Sequence, residues 1–178
     1  MTQYPAIDSN VLTYFLEAFR GGYDPARDES SLAAERVAVV RCFVYGDCSF
    51  WVSPTVKQEC GRIERAEWAE LHERVPLTLL QDMSPEVSEE ELEARVSELG
   101  RHHPNRRDCR VIAEAEAMLL HVLLTCDRDL AAHLGPRSAL TILRPSQLWD
   151  SLGIREGSRP AIRPRFDHPL ANETWWVL

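Results

Sequence analysis

Short apolar runs alternate with helix-length amphipathic segments along most of this chain, and that alternation limits the possible folds more than any other feature. Tyr4-Pro5-Ala6-Ile7 is one such run, read as a strand over 3–7 and closed by Asp8. Val11, Leu12, Phe15, Leu16 and Phe19 then recur at helical spacing. After a polar loop opened by Gly21-Gly22, a second helix carries Ala33, Val37, Val40 and Val44. Phe50-Trp51-Val52-Ser53 reads as a strand, and Pro54 starts the next helix. Leu77 to Leu80 is a third strand, Glu86 to Glu98 an acidic helix, and a further helix leads into the run His121 to Cys126, closed by Asp127. Ala139 to Leu143 is a fifth strand. Strands separated by about ten or more helical residues cannot be hairpins. They make βαβ units, hence an α/β fold with a largely parallel sheet covered by helices on both faces.

A chain of 178 residues is long enough for one domain with a real core. We place that domain at 1–152. From 153 to 178 there are three prolines (Pro160, Pro164, Pro169) and no periodicity, so this stretch is a tail packed on the domain. Trp175-Trp176 would anchor it by burying their rings. No run approaches the ~18 apolar residues of a membrane span, and the first residues lack the pattern of a signal peptide. Five cysteines form an odd set without a C-x-x-C pair. They read as reduced thiols in a cytoplasmic protein, not as a disulfide frame or zinc site.

The net charge of −8 argues against a broad electrostatic footprint for nucleic acid, but leaves room for a local one. Arg101, His102, His103, Arg106, Arg107 and Arg110 form the one dense basic segment, which runs directly into Asp108. It is either a solvated loop or a phosphate-binding edge.

Asp8 and Asp127 each stand where a strand's C-terminal end meets a helix, the edge at which open parallel sheets bind ligands. Each is also well placed as a helix cap, with Asp129 completing a turn after Asp127. Asp108 precedes the stripe Val111, Ile112, Ala115, Met118, Leu119 and projects within roughly 20° of its centre, so it either caps that helix or points into a site. Glu59 lies about 60° off the stripe Val56, Cys60, Ile63, where it is solvated or part of the site, with Glu64 and Glu67 as competitors. Gathered carboxylates would hold a hard cation such as Mg²⁺ and so suit metal-assisted phosphodiester hydrolysis.

Four elements together resemble the PIN-domain ribonucleases, which include VapC-type toxins. They are Ile7-Asp8-Ser9-Asn10-Val11-Leu12, Ser53-Pro54-Thr55-Val56-Lys57-Gln58-Glu59, Asp108-Cys109-Arg110-Val111-Ile112-Ala113-Glu114-Ala115, and Leu124-Thr125-Cys126-Asp127-Arg128-Asp129-Leu130. The resemblance covers roughly residues 3–150 and implies a three-layer α/β/α sandwich with a five-stranded parallel sheet in the order 3-2-1-4-5. It implies Asp8, Glu59, Asp108 and Asp127 as catalytic residues. Of these, Asp8, Asp108 and Asp127 would be the ligands of Mg²⁺ or Mn²⁺, with Asp129 and Glu114 as additional acids. The basic segment, placed beside such a pocket, would bind RNA phosphates through Arg106, Arg107 and Arg110. The implied function is metal-dependent endoribonuclease, in the toxin version with an antitoxin protein as partner and a second copy of the chain in a homodimer; no membrane is involved. The alternative is a catalytically silent PIN-like module that binds RNA or protein. A haloacid-dehalogenase reading needs Asp-x-Asp after the first strand, and here Ser9-Asn10 follow Asp8. No phosphate-binding glycine motif supports a nucleotide-binding reading.

Overall fold

In the computed structural model, which describes residues 4–19, 23–60, 81–82 and 87–178, short strands pair into one parallel sheet. These are β1 (Ala6–Ile7), β2 (Trp51–Val52), β3 (Gln81–Asp82), β4 (Val122–Leu124) and β5 (Thr141–Leu143). Their order is β3-β2-β1-β4-β5. The expected α/β class with a parallel sheet is what forms.

The helices are α1 (Ser9–Phe19), α2 (Ala33–Tyr45), α3 (Pro54–Cys60), α4 (Glu89–Leu99), α5 (Arg106–Ala117), α6 (Arg128–Leu134) and α7 (Pro145–Leu152). α1 packs on α2 and α2 on α7, while α4 packs on α5. The chain runs outward from β1 through β2 to β3, then returns to the other side of β1. α3 packs against both α1 and α5.

The expected strand Leu77 to Leu80 lies outside the described residues; among those described, the strand that pairs with β2 is Gln81–Asp82. Two polar residues can serve there because β3 is an edge strand, where charge is tolerated. In α2 the buried face is Val39, Val40, Cys42, Phe43 and Val44; Ala33 and Val37 are only half-buried. Both of its sides are engaged, by α1 and by α7, so a single stripe does not describe it. Finally, α7 is a helix that periodicity does not reveal. Pro145 sits in its first turn, and Gly153 ends it in the left-handed region at φ 61°, a conformation glycine adopts without a Cβ penalty.

The core centres on Phe15, which is wholly buried and has Phe19, Phe43 and Phe50 with ring centroids at 5.1, 5.3 and 5.4 Å. The segment after Gly153 packs back on α2. Trp176 is buried, its indole N–H donating to the Leu170 carbonyl at 2.8 Å and its ring lying 6.2 Å from Tyr45. The Arg41 guanidinium donates to the carbonyl of Trp175 at 3.1 Å.

All five thiols are unpaired, and burial pushes those of Cys48 and Cys126 up to about 12 and that of Cys60 up to about 11. Such thiols are poor nucleophiles. Among the described residues no helix is long and apolar enough to cross a membrane.

Candidate active site

The strand register assembles the site. Ile7 is level with Val52 on one side and Leu124 on the other. The next residue on each strand, Asp8, Ser53 and Thr125, therefore forms a row along the C-terminal edge. That edge lies beside β1, where the direction of strand progression reverses and open α/β sheets place ligands.

Asp8 is the centre of the row and only 7% exposed. Its Oδ1 accepts from the Val11 N–H at 2.7 Å, and its Oδ2 accepts from the Thr125 hydroxyl at 2.5 Å. Burial is the largest influence on this carboxyl, and the charges of Asp108 and Asp127 add to it. The Thr125 and Val11 bonds oppose them, and the net result is a carboxyl raised from 3.8 to about 6.

Asp127 accepts from the N–H groups of Asp129 and Leu130 at 2.8 and 3.0 Å, which caps α6. Its own N–H donates to the Thr125 hydroxyl oxygen at 2.9 Å, so Thr125 joins Asp8 to the α6 turn. Asp129 itself is exposed.

Asp108 does not cap α5; Asn105 does, accepting from the Arg107 N–H. The Asp108 carboxylate instead lies 2.8 Å from Nε2 of His103. Burial raises Asp108 above the usual carboxylate range, with Asp127 and Glu59 adding and His103 opposing. Glu59 is half-buried on α3, with Arg107 at 4.0 Å. Glu64 and Glu67 lie outside the described residues.

Asp108 and Asp127 thus bear on Asp8, and Asp127 and Glu59 on Asp108. Among the described residues, however, no three His, Cys, Asp or Glu side chains converge as a ready metal cage. Asp8 and Asp127 accept from the N–H groups that begin α1 and α6, and the Asp108 carboxylate meets His103.

Glu114 is not part of that group. It is 1% exposed and braces α3 against α5, accepting from the N–H and hydroxyl of Thr55 at 3.2 and 2.8 Å and from Nε of Arg110 at 3.2 Å.

The three arginines are not equivalent. Arg110 is ion-paired with Glu89 at 2.8 Å, Glu93 at 2.6 Å and Glu114, so it is an internal strut and not a free phosphate ligand. Arg106 pairs with Glu93, and its side chain is 65% exposed, while that of Arg107 is 58% exposed. A groove of about 560 Å³ runs between Pro54, Thr55 and Gln58 of α3 and these arginines of α5, with Glu93 on its wall. The acidic helix therefore has a structural role: it buries Leu92, Val96 and Leu99 and presents Glu89 and Glu93 to α5. A sequence signal for this exists, because Glu89/Glu93 and Arg106/Arg110 are two complementary rows at i, i+4 spacing. His103 has no such signal. In sequence it belongs to the basic segment, yet it is 6% exposed.

The crystal structure of PAE2754 from Pyrobaculum aerophilum is similar to this chain, with a TM-score of 0.50 over 87% of this chain and 100% of that one. The fold is that of a PIN domain. Sequence identity to PAE2754 is 18%, so the likeness concerns the PIN fold and nothing finer. FitAcB from Neisseria gonorrhoeae also matches, with a TM-score of 0.46 and 14% identity over 82% of this chain and 98% of that one. No family model matches this PIN-fold chain, and no curated protein matches it in sequence.

Proposed function

We propose that the chain is a metal-dependent endoribonuclease that hydrolyses phosphodiester bonds in single-stranded RNA. The observation that carries this reading is Asp8, a buried carboxyl at the ligand-binding edge of the sheet with two further carboxylates raising its proton affinity. Clustered like charges are costly unless something offsets them, and hard carboxylate oxygens suit Mg²⁺ or Mn²⁺. Asp8, Asp108 and Asp127 would hold the cation, with Glu59 at the rim. A bound cation supplies a water that loses its proton near neutral pH and offsets charge on the phosphate. Thr125 orients both Asp8 and the Asp127 turn through one hydroxyl. Single-stranded RNA fits a shallow open groove better than a duplex does, because its phosphates and splayed bases are accessible.

Arg106 and Arg107 lie along that groove and would position phosphates next to the acids. Replacing both by alanine should flatten the salt dependence of RNA binding by about 0.7 in log–log slope for each phosphate no longer neutralised. Stability should change little, since exposed ion pairs contribute about 0–1 kcal/mol. Binding measured at several salt concentrations decides this, and an unchanged slope in the double variant removes the groove from the account.

A second reading, a catalytically silent PIN-like module for RNA or protein, is favoured by one observation: the carboxylates of Asp8 and Asp127 already serve as caps. Incubation with RNA and Mn²⁺ separates the two. In the toxin version of the first reading, a small antitoxin gene lies beside this one.

A further inference from the structure

We infer that His103 is a positioning residue for the metal pocket, fixing the Asp108 carboxylate through its Nε2–H. The inference rests on the metal-dependent reading and extends it to a residue outside the acidic set.

His103 is buried in a segment whose neighbours Arg101, His102, Pro104 and Asn105 are all exposed. Burying an imidazole costs free energy unless its nitrogens find partners. Nε2 meets Asp108 Oδ2 at 2.8 Å, and Nδ1 meets Nδ1 of His133 at 3.5 Å. The roles of these atoms follow from the partners. An ionised carboxylate only accepts, so Nε2 carries the hydrogen, and one hydrogen lies between the two Nδ1 atoms. The His103 carbonyl also accepts from the Cys109 thiol at 3.7 Å.

Two consequences bear on the site. Asn105 relieves Asp108 of capping α5, so His103 determines how that carboxylate is turned. Furthermore, His133 lies on α6, the helix capped by Asp127. The chain Asp108–His103–His133 therefore ties the element carrying one proposed ligand to the element positioned by another. Hydrogen-bond partners of metal ligands set ligand orientation, and losing one typically weakens metal affinity by about 10–100-fold.

Mn²⁺ titration by calorimetry on the full chain tests this, using His103→Gln and His103→Asn. Glutamine carries an amide N–H near the place of Nε2, whereas asparagine reaches only as far as Nδ1. His103→Gln should bind Mn²⁺ within a few-fold of the unaltered protein, and His103→Asn about 10-fold or more weaker. Both variants lose a similar ring, so a merely structural role would affect them alike. The inference is overturned if His103→Asn binds Mn²⁺ as tightly as the unaltered chain, or if His103→Gln is as weak as His103→Asn. Should His103→Asn fail to fold, His103→Gln still decides, because a loss of about 10-fold there contradicts the inference. If the unaltered protein does not bind Mn²⁺ at all, the metal-dependent reading fails and His103 falls with it.

Discussion

Replacing Asp8 by asparagine is expected to abolish RNA cleavage and, in metal-free protein at pH 7, to make the fold more stable. The amide keeps the shape but removes a charge that a hard cation requires. The stability gain follows from the raised carboxyl. With a value of about 6 in the folded protein against 3.8 for the ordinary group, the folded state holds the proton more tightly than the unfolded chain does. Asp8 therefore costs nothing below the lower value, costs progressively more as pH rises from 3.8 to about 6, and carries its full cost above that. A shift of this size corresponds to about 3 kcal/mol, so a gain of about 1–3 kcal/mol is expected at pH 7 and little at pH 3. Asparagine can keep the Val11 bond through its oxygen, and its amide can donate to the Thr125 hydroxyl. Urea unfolding in chelator at both pH values measures the effect. A variant less stable than the unaltered protein at pH 7 would mean that Asp8 is a plain helix cap.

Glu114→Ala is expected to lower stability by about 3 kcal/mol, a large share of the total for a domain of this size. The substitution strands the buried N–H and hydroxyl of Thr55 and removes one of the three carboxylates around Arg110. Unpaired buried donors cost about 1–3 kcal/mol each, whereas removing both partners costs less. Adding Thr55→Val should therefore recover part of the loss, a coupling that a double-mutant cycle reads directly. A single-variant loss below about 1 kcal/mol would show that α3 does not depend on this brace.

The parts of the fold legible from sequence are those governed by local periodicity. Phe15 and its stripe, the apolar run His121 to Cys126 and the acidic residues that follow β1 and β4 are read from spacings of two and 3.6 residues. The expected acidic helix over Glu86 to Glu98 forms over Glu89–Leu99, where Ser88 caps it in a box with Glu91. What stays hidden depends on neighbours distant in sequence. Glu35 is buried in α2 because it accepts from the N–H and hydroxyl of Ser146 at the start of α7, a helix too short for its period to stand out. Glu114 resembles another site acid in sequence, and only Thr55 packed against it makes it a brace. His103 lies in a basic run that composition marks as solvated, and only the folded chain brings Asp108 and His133 to its ring nitrogens. Among the site residues, Asp8 and Asp127 are legible because a strand end fixes position. The orientation of Asp108 is not, because it depends on which neighbour takes the cap.

The most direct test of the account is cleavage of a single-stranded RNA by purified protein in Mn²⁺, with and without excess chelator, followed by analysis of the product ends. The account predicts cleavage that stops in chelator and leaves no 2′,3′-cyclic phosphate, because the attacking group is water and not the ribose 2′-hydroxyl. Undiminished cleavage in chelator, cyclic-phosphate ends, or intact RNA in Mn²⁺ would contradict it.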